Sequence, residues 1–208
     1  MNGRPSRETV MTALYSALQA GGQTTFTATT QAGSQVLTNP STTTGLMVGV
    51  PVVGGSIPRG AIIQSLAPLT LSLPATANAV SASLLTGFQT FSRRLKHWSE
   101  VSAQPALFLR GVEEELDYPN IILQRQTIRA EIFIYSNAGE DPDLAPEIGL
   151  NNLLDAVQAV FTPDDVMRGR FTLGGLVEWC RMSGRIDKEP GDLGGQAIAI
   201  AEVEITVP

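Results

Sequence analysis

From Ala20 to Thr90 the chain carries one charged side chain, Arg59, and is otherwise dominated by Thr, Ser, Gly, Ala and Val. So abrupt a change in composition makes residues 20–87 an insert with its own folding logic. Short runs rich in β-branched and apolar residues, at 45–50, 61–65 and 69–73, are separated by turn chemistry at Gly54 and Gly55, at Pro58 to Gly60, and at Pro74. This pattern predicts a small β-sandwich or barrel-like module. A flexible Ser/Thr linker is the competing reading, but linkers rarely carry this much Val, Leu and Ile.

The flanking chain is patterned differently. Val10, Met11, Leu14, Ala17 and Leu18 fall at helical spacing behind a possible Ser6 N-cap, and Gly21 with Gly22 stops that helix. Strands are predicted over 91–101 and 106–116. A third covers 126–135, where Ile128, Ala130, Ile132 and Ile134 take one face and Arg129, Glu131, Phe133 and Tyr135 the other. The clearest helix follows Pro146, with Leu150, Leu153, Leu154, Val157, Val160 and Phe161 at steps of three and four. Two closing strands, 172–186 and 196–207, flank the turn-rich segment 189–195. In the last strand the apolar parity shifts between Ile200 and Val203, which predicts a β-bulge or a sheet buried on both faces. The fold class is therefore α+β: a mostly antiparallel sheet packed by two helices (1–19 and 88–208) with an inserted small all-β domain (20–87).

Charge and cysteine content narrow the function classes. The net charge of -6 argues against a protein that wraps nucleic acid, which needs a basic face to displace counterions. Only 16% of residues are charged, against about 25% in ordinary soluble domains, so part of the surface is expected to be covered by neighbours. One cysteine and one histidine leave no internal disulfide and no all-Cys/His zinc site. Arg4 and Arg7 are not followed by an apolar run, and no span of about 18 apolar residues occurs, so neither a leader nor a membrane helix is expected.

The residues that could do chemistry do not form a motif. His97 sits among Arg93, Arg94, Lys96 and Trp98 with no partner pattern, and Cys180 reads as a half-buried packing thiol. The glycine pairs 54–55, 174–175 and 194–195 lack the lysine and the strand-to-helix setting of a phosphate loop. Pro142 interrupts Glu140, Asp141 and Asp143, which spoils a calcium pattern. Neither a catalytic group, a cofactor site nor a metal site is expected, and an enzyme such as a small hydrolase is disfavoured. Two acidic clusters stand out instead: Glu113, Glu114, Glu115 and Asp117, and Glu140, Asp141, Asp143 and Glu147. A solvated face is the plain reading of both. Residues 91–208 hold eleven basic and nineteen acidic side chains, a net of -8, and that excess makes a negative channel lining or docking face the functional one.

With the insert set aside, the order of helix, strand group, strong helix and closing β-ribbon resembles the tail terminator and minor tail proteins of long-tailed bacteriophages. The likeness rests on residues 8–14, 126–135 and 196–207, in element and character rather than in an invariant signature. The insert, with Ile57, Pro58, Arg59 and Gly60 followed by 69–73, is similar to β-modules that recur in phage virion proteins. The resemblance implies a non-enzymatic virion subunit, assembled in the host cytoplasm. Its copies form a ring, typically a hexamer, on the head-proximal end of the tail tube. That ring stops polymerisation of the tail tube protein and meets the neck or head-completion proteins. Genome DNA would pass through without specific binding, and the acidic clusters, with 140–147 first, would line that channel because a conducting lumen must not hold phosphates. The alternative is a tail-tube or head-tail joining subunit decorated by the insert.

Overall fold

In the computed structural model, which describes residues 4–117, 125–137, 147–191 and 195–208, the first helix is α1 (Arg7–Gly21). Ser6 caps it, its side chain accepting the Thr9 N–H at 3.1 Å, which satisfies one of the orphan donors of the first turn. Val10, Met11, Leu14 and Leu18 form its buried stripe, and the Gly22 N–H closes the last turn on the Leu18 carbonyl at 2.9 Å. The second helix, α2 (Glu147–Val160), buries Gly149, Leu150, Leu153, Leu154 and Val157. The helices pack on each other through a small residue: a Cβ at Gly21 would lie 2.5 Å from Val160 Cγ2.

Residues 23–87 contain β1 (Gln23–Thr30), β2 (Val52–Val53), β3 (Ile63–Leu66), β4 (Leu69–Leu71) and β5 (Ala79–Gly87). They form a three-stranded sheet in the order β1-β5-β2 and a β3-β4 hairpin, closed around Phe26, Leu37, Val52, Ile63, Leu71 and Leu84. Strands this short leave many backbone groups without a ladder partner, and the hydroxyls supply them. Thr30 and Thr86 donate to the carbonyls of Ala77 (2.9 Å) and Pro51 (3.0 Å), while Ser41 and Ser72 accept from the amides of Thr27 (2.9 Å) and Ile62 (3.0 Å). The Ser/Thr richness therefore does structural work in place of charge. The run at 45–50 is not a strand: Gly45 and Gly49 both take φ +79, and regular pairing begins only at Val52. The chain returns to its starting point, because Gln23 pairs with Gly87 and the Phe88 N–H meets the Gly22 carbonyl at 3.0 Å.

The second sheet consists of β6 (Thr90–Ser92), β7 (Ala106–Asp117), β8 (Arg125–Asn137), β9 (Trp179–Glu189) and β10 (Gln196–Val207), in the order β6-β7-β8-β10-β9. All pairs are antiparallel except β6 with β7. The molecule is thus α+β with two helices and mostly antiparallel sheets. Both helices lie on one face, sealing Leu107, Leu109, Ile128, Ala130, Ile132, Ile134, Ala199, Val203 and Ile205.

Two sequence expectations need correction, and a third is met with its bulge on the neighbouring strand. The strand expected over 91–101 ends at Ser92; the chain then runs through a single 3-10 turn, Trp98–Glu100, and Leu95 and Val101 come down on the other face of the sheet against Phe108 and Tyr135. The strand expected over 172–186 starts only at Trp179, since Leu173, Gly174 and Gly175 all have positive φ and build a turn. Finally, β10 alternates without interruption, with Ala197, Ala199, Ala201, Val203, Ile205 and Val207 all inward. The irregularity lies on its neighbour: between Ala201/Ile186 and Glu202/Ser183 the β9 strand carries the unpaired Gly184 and Arg185, Gly184 at φ +72. Ile198 breaks the apparent parity because it packs on the second face beside Tyr135, so the sheet is buried on both sides at that end.

Candidate functional site

One face of the five-stranded sheet belongs to α1 and α2, and the opposite face divides in two. At the end nearest Ala106 and Gln196 it is roofed by residues 93–105, and burial pushes the Tyr135 phenol above its ordinary range. At the other end it is open, and strand register arranges charges in rows. Glu113, Arg129, Glu204 and Arg181 stand opposite one another across four strands. Arg129 donates to Glu113 at 2.9 Å and Arg181 to Glu204 at 3.1 Å; the hydrogen bond from Glu113, and then its charge, hold the Arg129 guanidinium above its usual value. Arg110 and Glu131 pair at 2.7 Å in the next row. Arg125 donates to both oxygens of Glu178, at 3.2 and 3.0 Å, and Arg170 adds a third contact at 3.3 Å. Trp179 stands between two of these cations, Arg181 at 4.0 Å and Arg170 at 5.7 Å from its ring.

Exposed pairs of this kind contribute about 0–1 kcal/mol each, so the lattice is a poor source of stability. Its chemical capacity is selection: alternating charge accepts a partner only in matching register and repels a misaligned one. Among the described residues the lateral edges of this face are free over much of their length. β6 pairs with β7 only over Ala106–Phe108, and beyond β9 no further strand lies among the described residues, although the Cys180 N–H at its start meets the Phe171 carbonyl at 2.8 Å. Each free edge carries a bulge, at Val112 in β7 and at 184–185 in β9, which limits indiscriminate pairing.

The first acidic cluster is split by the pleat. Glu113, Glu115 and Asp117 lie opposite Arg129, Thr127 and Arg125 on the open face, whereas Glu114 lies opposite Ile128 on the helix side. There Glu114 pairs with Arg7 of α1 and accepts from Gln126 at 3.0 Å. In the second cluster Glu147 opens α2, exposed, where the helix dipole favours a carboxylate; Glu140, Asp141 and Asp143 lie outside the described residues. The two clusters are thus not brought together by any described contact. His97 is exposed, caps the 3-10 turn and shares a 2.7 Å hydrogen bond with the Ser99 hydroxyl. Cys180 is buried, and burial, then the Asp164 charge, push its thiol up to about 12.

Two features escaped the sequence reading. Residues 164–178 form a braced loop in which Asp164 accepts from the Thr172 amide (2.6 Å), the Thr172 hydroxyl (2.8 Å) and the Gly174 amide (2.7 Å). Asp165 and Arg170 bridge to close its outer turn, and Phe171 packs edge-on against Phe161 with centroids 5.8 Å apart. At the tip Val166 and Met167 are 82% and 97% exposed. The signal was two apolar residues set within a polar turn. The second feature is a cleft of about 600 Å³ between the two sheets, with Val53, Ile57, Pro58 and Ile62 on one wall and Val101 and Ala103 on the other. Arg59 spans it, donating to the Ser102 carbonyl at 2.5 Å. No protein-family model matches the chain, and no curated protein matches its sequence.

Proposed function

We propose that the chain is a structural subunit of a virus particle, of the tail terminator kind, whose copies close into a ring on the head-proximal end of a tail tube. The observation that carries this reading is the one-sided sheet. Helices cover one face, while the other bears a charge lattice bounded by two edges that are largely unpaired among the described residues, a form suited to repeated contact with identical or related subunits. On the open face every cation named above is matched to a carboxylate, so phosphates passing near it would find no unpaired basic row to release counterions against. That supports Glu113, Glu115 and Asp117 as lumen residues, with Glu114 committed to α1.

Electron microscopy of the purified protein tests the reading: closed rings are expected, and a strict monomer with enzymatic turnover would sink it. An extending tube would favour the second reading, a tail-tube or head-tail joining subunit, for which the free edges on both sides of the sheet also speak. Reversal of Glu113, Glu115 and Asp117 to lysine should leave rings intact yet slow DNA ejection from reconstituted particles. The same substitution of Glu140, Asp141 and Asp143 tests the second cluster.

A further inference from the structure

We infer that copies of this chain join head to tail, the Val166–Met167 tip of one entering the cleft between the two sheets of the next. This inference rests on the ring reading above and assigns its contact. The loop stands beside the start of β9, which pairs with the end of β10, which in turn lies against the start of β8. The cleft opens at the other end, where Gln89 and residues 101–104 meet the insert. The 13 residues of β8 separate the two, about 40 Å at 3.3 Å per residue, so a tip cannot reach its own cleft. A surface at one end that fits a different surface at the other is a heterologous contact, which generates rings when the rotation closes and filaments when it does not.

Scattered exposed apolar residues are ordinary on protein surfaces and would explain Val166 and Met167 if the loop were loose. It is not loose. Asp164 holds it with three hydrogen bonds, and Phe171, Leu173 and Leu176 anchor its base on the main core. A preformed tip loses little conformational entropy on docking. The cleft offers a matching lining, with Val53 43% exposed on one wall and Val101 half-buried on the other. Charge agrees as well. Arg168 flanks the tip, 75% exposed and only 3.9 Å from Asp165, while Glu100, one residue before Val101, is exposed and has no ion pair among the described residues. Arg59 keeps its positive charge while donating to the Ser102 carbonyl, so the fit requires Arg168 to seat on the Glu100 side of the cleft mouth.

The test uses the full chain with Met167→Glu and, separately, Val53→Glu, each checked for a wild-type melting curve and followed by analytical ultracentrifugation and electron microscopy. Either change should weaken self-association by about 30-fold or more, as expected for a central apolar anchor. In a second experiment, Met167→Cys and Val53→Cys proteins are mixed under mild oxidation; a disulfide-linked dimer should appear in the mixture beyond what either protein gives alone. Folded variants that assemble as well as wild type, with no cross-link in the mixture, overturn the tip-in-cleft contact and leave the ring reading standing. A wild-type chain that stays monomeric at every concentration overturns both.

Discussion

At the residue scale, local hydrogen bonding decides behaviour that residue type alone leaves open. Asp164 is exposed, and the burial it does have raises its pKa. The amides of Gly174 and Thr172 and the Thr172 hydroxyl together outweigh that, and its carboxyl sits below the ordinary aspartate range. A lowered native pKa means stability that is present above the unfolded value of about 3.9 and is lost as pH falls through the native value. The loop should therefore loosen in acid before the core does, seen as faster amide exchange at Thr172 and Gly174. Asp164→Ala should reproduce that loosening at pH 7 for about 1 kcal/mol, as for a lost cap. Cys180 offers the reverse case. With its thiol pushed up to about 12 and its side chain buried, it should ignore a disulfide reagent at pH 8 in the native protein and react only on unfolding. Fast labelling of a folded sample would contradict this placement. The packing role of Cys180 was legible from its apolar neighbours, whereas the Asp164 brace was not, because its partners Thr172 and Gly174 lie eight and ten residues on in a turn that no periodicity marks.

At the element scale, periodicity was legible wherever one face is buried along its whole length. Both helices and β8 follow their apolar spacing closely, since a slip of one residue would turn every inward side chain out; β10 alternates as strictly, but Ile198 and Ile200 on its second face disguised it. Periodicity failed where turns interrupt β-prone residues: Gly45 and Gly49 at 45–50, and Leu173 to Gly175 before β9. The docking of the insert on α2 was also invisible, because it depends on two glycines 100 residues apart meeting backbone to backbone. A Cβ on Gly149 would lie 2.7 Å from the Gly49 carbonyl oxygen, beside the 2.6 Å hydrogen bond from Asn152 Nδ2 to the Val48 carbonyl. Alanine improves helix propensity over glycine by about 1 kcal/mol, but overpacking against a fixed backbone costs about 1–3 kcal/mol. Gly149→Ala should thus be net destabilising in chemical denaturation, and a stabilised variant would mean that the insert yields easily at this contact.

At the scale of the whole molecule, the open question is how far residues 23–86 depend on the rest. Composition suggested independence, and two observations favour it: the segment closes its own cluster around Phe26, Leu71 and Leu84, and its ends meet where Gly22 faces Phe88. A third opposes it. Val50 is fully buried in the main core rather than in the insert's own, and Met47 packs beside it. Residue type could not reveal this, because an inward Val looks the same whichever core receives it. Replacing 23–86 by a two-residue turn would remove both side chains, a loss of about 3–6 kcal/mol at about 1.5–3 kcal/mol each. A domain's total stability is about 5–15 kcal/mol, so the remainder should still fold cooperatively, melting about 10–20 °C lower. Circular dichroism should retain the helices and sheet, and filling the exposed site with a larger apolar residue at Asn152 should recover part of the loss. A shortened chain that shows no cooperative transition would mean that residues 47–50 belong to the nucleus of the main core, and that the insert and the α+β unit are one folding domain.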